Sequence, residues 1–310
     1  MAEPLGSQFR YQRISTSGAD INLAHGGNGP PLLLLHGYPQ THAMWHEVAP
    51  ELARHFHVVC PDLRGYGDSS KPPGAADHHN YAKRAMAQDM VEVMAALGYS
   101  EFAVAGHDRG ARVTHRMALD YPEQVTRACV MDIAPTHHMF SHTDQAFATG
   151  YYHWFFLIQP DGLPERMIGA DPDYYLREKL KRWSGPDATF DETAVAEYLR
   201  CFKEPAAIHA SCEDYRAAAS IDMAHDDADM HRRITCPLLV LWGDQGFVHR
   251  TYDVLSVWRQ RAEQVDGRAL HSGHFLPEEA PREVLDALLG FFGNGSPIPG
   301  DDDSARRMTT

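Results

Sequence analysis

The sequence predicts an α/β protein: a mostly parallel sheet interrupted by an inserted helical cap. Three observations predict it. Short apolar runs alternate with segments of helical spacing in the N-terminal part of the chain and again near its end. Between about residues 135 and 221 the strand-like runs vanish, and aromatic, helix-like segments replace them. The length, 310 residues with 44% hydrophobic side chains, suits one large domain carrying an insertion.

The strands come first. Leu32–Leu35, Phe56–Cys60, Phe102–Ala105, Ala128–Met131 and Leu238–Trp242 are short, free of charge at their centres and rich in Val, Leu, Ala or Ile. A parallel strand buried on both faces reads this way. Arg268–Leu270 is the expected last strand. Ala85–Leu97, Ala111–Leu119 and Arg282–Phe292 show helical spacing, with Gly or Pro beyond their ends. The core is therefore expected over residues 1–134 and 222–292, and the helical cap over 135–221. The cap holds the aromatic run YYHWFF at 151–156, Tyr174, Tyr175, Trp183 and a helix around SCEDYRAAAS. Residues 293–310, rich in Gly, Pro, Ser and charge, are expected to be a disordered tail. In such a sheet, ligands bind at the carboxyl ends of the strands.

Composition narrows the partners. A net charge of −14 argues against nucleic acid and gives no reason for binding anionic membranes. No run of 18 or more apolar residues is present, and the N-terminus lacks a signal-peptide pattern. The cysteines, Cys60, Cys129, Cys201, Cys212 and Cys236, are odd in number and show no CxxC spacing. They read as small buried hydrophobes in a reducing cytoplasm. There is no internal repeat. The 20 histidines include no HExxH, and His137-His138 has no obvious carboxylate partner, so neither a metal nor an organic cofactor is expected.

The chemistry is carried by GHDRGAR, residues 106–112. G-x-Nu-x-G between a strand and a helix is the nucleophile elbow, and both the strand and the helix occur where they must. Asp108 stands at the nucleophile position, where a serine is common. Serine attacks carbonyls. A carboxylate suits displacement at a saturated carbon and gives an ester, which water then hydrolyses.

Two more groups are required. His274, in HSGHFLPEEAP after the last strand, is the expected base, ahead of His271. Asp132, in VMDIAP, and Asp244, in LWGDQGF, compete to orient it. Related hydrolases usually place this acid three residues after the glycine of the WG turn, and here that residue is Gly246. Asp132 is favoured. The oxyanion donors should be the backbone N–H groups of Tyr38, in HGYPQ, and of Arg109.

With the elbow, HGYPQ, PDLRGYGDSSKP (61–72) and His274 in hand, the chain resembles the α/β-hydrolase superfamily over roughly residues 8 to 292. Within it, the branch of epoxide hydrolases and dehalogenases is nearest. Its elbow reads HDRGAR as in the fluoroacetate (haloacetate) dehalogenases. Most haloalkane dehalogenases and epoxide hydrolases place an aromatic where Arg109 stands. The haloacetate enzymes also take their acid from the strand before the cap, which supports Asp132. The resemblance implies that His153, Trp154 and Tyr215 bind halide, that Trp183 shapes the pocket, and that the protein forms a homodimer. Tyr38 stands where that family has Phe. This alters a pocket wall but not the backbone donor.

Arg109 and Arg112 place two cations beside one carboxylate. One would suffice to keep Asp108 ionised. Two suggest a second anion, and a guanidinium fork suits a carboxylate. The expected substrate is therefore a small anionic haloacetate or similar 2-haloacid, converted to a 2-hydroxy acid. Two other readings compete. An epoxide hydrolase would use Tyr215 with Tyr151 or Tyr152. A non-catalytic binding protein on a hydrolase fold would usually have lost the nucleophile or the base.

Overall fold

The computed structural model describes residues 3–293. The expected tail, from residue 294 onward, lies outside them. Strands β1 (Arg10–Ser15) and β2 (Asp20–Gly26) form an antiparallel hairpin. They are followed by β3 (Pro31–Leu35), β4 (His57–Pro61), β5 (Phe102–His107), β6 (Val125–Met131), β7 (Leu238–Gly243) and β8 (Val265–Leu270). The sheet order is β1-β2-β4-β3-β5-β6-β7-β8, parallel from β4 onward. β2 joins β4 antiparallel.

The six expected strands are all present; five are one to three residues longer than the apolar run alone suggested, and β4 has the expected length shifted by one residue. Leu32, Leu33, Leu34 and Leu35 are each fully buried. At about 2 kcal/mol per buried leucine, that run has no stable alternative to a central strand. The hairpin was not anticipated. β1 reads RYQRIS and has no fully buried residue, so it shows neither an apolar run nor a clean alternation.

Helices Lys83–Ala96 and Arg109–Asp120 follow β4 and β5, and Pro281–Gly293 is the last element of the described residues. Between β6 and β7 the chain forms only helices, from Thr136–Ser141 to Ile221–Ala228, so the inserted cap is helical as expected. Its helix starts are written locally. Asp171 caps Pro172–Trp183 and Asp191 caps Glu192–Phe202, each carboxylate accepting first-turn N–H groups. Proline opens both Pro172–Trp183 and Pro205–Ala218, where a missing N–H costs nothing.

Strand register then places the functional loops. β3 pairs Leu35 with Gly106 of β5, β5 pairs His107 with Met131 of β6, and β6 pairs Met131 with Leu241 of β7. His36, Asp108 and Asp132, which leave the sheet next, and Asp244, which follows the end of β7 at Gly243, therefore emerge side by side at the carboxyl edge. No helix among the described residues is long and apolar enough to cross a membrane.

Candidate active site

Asp108 sits at the turn between β5 and the helix Arg109–Asp120 with φ +46° and ψ −112°. Such a backbone costs a non-glycine residue about 1–3 kcal/mol and persists only where its surroundings impose it. The glycines do the imposing. A Cβ on Gly106 would lie 2.4 Å from the Gly110 carbonyl oxygen, and one on Gly110 would lie 2.5 Å from those of Leu35 and His36. One on Gly37 would meet the Cβ of Asp108 at 2.6 Å. The tight approach lets the Tyr38 N–H donate to Asp108 Oδ1 at 3.0 Å. Arg109 N–H is at the first helical position, where no intrahelical acceptor exists. Tyr38 thus supplies a backbone donor to the carboxylate, and the Arg109 N–H next to it is left without an intrahelical acceptor.

His274 follows β8. Its Nδ1 lies 2.6 Å from Asp132 Oδ2, and its Nε2 lies 3.9 Å from Asp108 Oδ2. Asp132 Oδ1 accepts the Gly243 N–H at 3.1 Å, and this residue too has positive φ, +51°. Of the two competing acids, the structure brings Asp132 to His274. Asp244 instead meets the exposed His271, at 3.1 Å. The base loop is braced from below. The Glu279 carboxylate accepts N–H groups from Gly273 and Phe275 and, across in the cap, from Gly185, all at 2.8 Å. His274 N–H donates to the carbonyl of Trp183 at 2.8 Å.

Burial opposes ionisation of Asp108, but His274, Arg109 and Arg112 outweigh it and hold its pKa below the usual carboxylate range. Burial also opposes charge on His274; the hydrogen bond and charge of Asp132, then the charge of Asp108, lift its pKa above that of a free imidazole. His153 is driven the other way, by burial and by the nearby Lys179, and stays neutral. Burial raises the Tyr215 hydroxyl far above its ordinary range, so it keeps its proton.

The two arginines divide their work in a way the sequence did not reveal. Arg109 is fully buried and bound bidentately to Asp214, Nε to Oδ2 at 2.9 Å and Nη2 to Oδ1 at 2.7 Å. Tyr66 and Lys83 also donate to Asp214. The count of two cations against one acid omitted this second carboxylate. The signal was an acid directly before Tyr215 in CEDYRA, within a helix otherwise rich in small residues. Arg112 Nη1 donates to the Ala134 carbonyl at 3.1 Å and to Thr136 Oγ1 at 2.9 Å, which ties it to the start of the cap. Each guanidinium also stacks on a cap aromatic: Arg109 lies 4.2 Å from the Tyr215 ring centre and Arg112 lies 4.6 Å from that of Trp154. His153 packs against Trp183 at 4.5 Å and Tyr215 at 5.5 Å between ring centres. Trp183 in turn lies 5.4 Å from His274. All the expected site residues meet in one cluster.

Most buried polar atoms in proteins have partners. In this cluster Arg109 Nη1, Arg112 Nε, His153 Nδ1, Tyr215 OH and His274 Nε2 have none among the described residues. His137, expected to lack a carboxylate, lies 2.9 Å from Asp227. Among the described residues, the one group of three that could hold a metal ion is Asp68, Glu197 and Cys201, outside the cluster. Arg200 already pairs with both of its acids at 2.7 Å.

The family profile described as the alpha/beta hydrolase fold matches residues 30–281. The chain belongs to the α/β-hydrolase family. Among the relatives of this hydrolase, a fluoroacetate dehalogenase from Burkholderia sp is 45% identical over 92% of this chain and 94% of its own length. A soluble epoxide hydrolase from Corynebacterium sp is 33% identical over 93% and 99%. A solved protein provisionally described as an α/β hydrolase, from Nostoc sp PCC 7120, is 59% identical over 92% and 98%, with a TM-score of 0.91.

Proposed function

We propose that this hydrolase is a haloacid dehalogenase that converts fluoroacetate and other short 2-haloacids to 2-hydroxy acids and halide. One observation carries the reading: the five unpartnered polar atoms around Asp108 come in the sets that such a substrate needs. Arg109 Nη1 and Arg112 Nε face a carboxylate, and His153 and Tyr215, with Trp154 beside them, face a departing halide. The relationship to the Burkholderia enzyme supports the same substrate class.

The two oxygens of Asp108 have different surroundings. Oδ1 is held by the Tyr38 N–H, and Oδ2 is free of any donor closer than His274. Oδ2 attacks the α-carbon from behind the carbon–halogen bond. An ester forms as halide leaves with the bonding pair. Oδ1 is now the ester carbonyl oxygen. His274 takes a proton from water, the water oxygen adds to the Asp108 carbonyl carbon, and the negative charge that develops on Oδ1 meets the N–H groups of Tyr38 and Arg109. Collapse of the intermediate expels the alkoxide, which takes the proton held by His274 to become the 2-hydroxy acid, and the Asp108 carboxyl gives its remaining proton to solvent and returns as the carboxylate. Esterification removes the Asp108 charge, one of the causes that raise the His274 pKa. The base therefore becomes easier to deprotonate at the step where it must be neutral.

Halide release from fluoroacetate, chloroacetate and a neutral 1-haloalkane, compared side by side, tests the substrate class. Release from the acids alone supports it; release from the haloalkane alone overturns it. His274→Ala incubated with chloroacetate should gain the mass of a carboxymethyl group on Asp108, and an unmodified protein contradicts the covalent route.

The second reading is an epoxide hydrolase. The Corynebacterium relative and the unpartnered Tyr215 hydroxyl favour it. Tyr152 suits the second donor poorly: it is 44% exposed, and its hydroxyl sits against the Lys179 ammonium. That leaves Tyr151. Diol formation from styrene oxide without halide release from the acids would establish this alternative.

A further inference from the structure

Lys179 is the most unusual cation in the molecule outside the cluster around Asp108. It lies on the inner side of the cap helix Pro172–Trp183 and is 1% exposed. Among the described residues no carboxylate comes within ion-pair distance of it. Its ammonium donates to the Tyr152 hydroxyl at 2.7 Å and lies 4.0, 5.0 and 5.2 Å from the ring centres of Tyr152, Tyr175 and Trp183. Aromatic faces attract a cation but do not neutralise it. A buried lysine without a counter-charge is costly, and burial lowers its pKa to about 7. A protein with a net charge of −14 has acids to spare for pairing it. Leaving it unpaired makes sense where an anion comes and goes.

Its place in the fold fits that use. On one side Lys179 borders a surface cleft of about 220 Å³, lined also by Tyr152, Tyr174, Tyr175, Glu178 and Arg182. Glu178 is occupied by Arg182 at 2.9 Å, so Lys179 remains the uncompensated charge of that cleft. On the other side Trp183 joins it to His153, whose ring is 4.5 Å from the indole. His153 is close enough to Lys179 for its own protonation to be disfavoured by the ammonium. A single layer of side chains thus separates the cleft from the expected halide pocket.

We infer that Lys179, caged by Tyr152, Tyr175 and Trp183, is a small-anion binding site between the surface cleft and the halide pocket. It takes a monovalent anion: halide on its way out, or the carboxylate of a haloacid on its way in. The site rests on the reading above in its role, but not in its chemistry, because the cage would bind halide whatever reaction Asp108 performs.

Bromide and bromoacetate separate the two sources. Crystals of the wild-type protein soaked in bromide, and of Asp108→Asn soaked in bromoacetate, are compared by the anomalous signal of bromine. The inference expects a bromide peak in contact with Lys179 Nζ, in addition to one among His153, Trp154 and Tyr215. Lys179→Met should lose the first and keep the second. A bromoacetate peak whose carboxylate faces Lys179 would assign the site to entry as well as exit. Bromide among His153, Trp154 and Tyr215 alone overturns the inference and leaves the proposed reaction standing. Bromide at Lys179 alone does the reverse. If Lys179→Met does not fold, the wild-type map still decides. In solution, inhibition of turnover by chloride should weaken at least about tenfold in Lys179→Gln, the loss of one charge-assisted contact. Unchanged inhibition, with no peak at the cage, sinks the inference.

Discussion

Asp214→Asn is the substitution from which most can be learned. Asp214 is fully buried and accepts hydrogen bonds from Arg109 Nε and Nη2, from Tyr66 at 2.6 Å and from Lys83. Asparagine keeps the shape. It replaces one acceptor oxygen with an NH₂ group and removes the charge, so that two buried cations face one neutral acceptor. Removing one partner of a buried ion pair costs about 3–5 kcal/mol. For a domain of this size that lowers the melting temperature by roughly 5–8 °C. The functional effect is separate. Arg109 loses the clamp that aims its free Nη1, and a misplacement of about 1 Å can cost on the order of a hundredfold in rate. That loss should fall on substrates with a carboxylate and spare neutral ones. The assay is kcat/KM for chloroacetate and for its neutral twin chloroacetamide, together with a thermal melt. Asp214→Asn should melt early and lose its preference for the acid. Lys83→Met, which leaves the Arg109–Asp214 fork intact, should melt early and keep that preference. An Asp214→Asn protein that melts normally and retains the preference would refute the reasoning.

Three other outcomes follow. Arg112→Lys keeps a charge but not the fork that reaches Ala134 and Thr136. Its kcat/KM for haloacetates should fall roughly 10- to 100-fold with little change for chloroacetamide. Ester hydrolysis needs neutral His274, so its rate should fall as pH drops through the pKa that His274 has in the ester, which lies below its raised value in the free protein because the Asp108 charge is gone. Asp108 stays ionised over that range, so halide release in the first turnover should hold its rate. Single-turnover measurements across pH check both, and a hydrolysis rate flat across that range contradicts the assignment. Burial raises the Glu278 carboxyl, bonded to Tyr198 and Gln40, to about 8. A carboxyl raised in the folded state contributes stability at low pH that is lost as pH climbs toward that value. The melting temperature should therefore decline from about pH 5 to pH 8 through this group, and Glu278→Gln should flatten the decline.

The sheet was legible because its central strands have one stable option. Leu32–Leu35 carries no charge to seat in water, and G-x-D-x-G after Phe102–Ala105 leaves the chain one sharp turn. The N-terminal hairpin was not legible. Its first strand has no fully buried residue, and the hairpin's identity depends on β4, which lies far along the chain. The catalytic candidates were readable for a related reason. Asp108 and Asp132 each follow a strand directly and His274 comes four residues after one, so strand register brings them to the same edge of the sheet. Choosing Asp132 over Asp244 was also readable, from the glycine at 246. What escaped was whatever the cap contributes through pairing at a distance. Asp214 is 105 residues from Arg109, and nothing local marks it as that arginine's partner. Lys179 looks in sequence like one more solvent-facing lysine of an amphipathic helix. Its burial depends on Tyr152, which lies in the turn before another helix.

The bonds that brace the base loop also limit how the enzyme can open. The Glu279 carboxylate holds Gly185 of the cap and Gly273 and Phe275 of the base loop at once, and Trp183 holds the His274 N–H. A cap that hinged away at this edge would drag His274 off Asp132 and dismantle the proposed base. Access must therefore come from side chains turning at the rim while the backbone stays latched. Widening the enzyme to bulkier acids is then a matter of trimming rim residues, and loosening the latch would trade reach for reactivity.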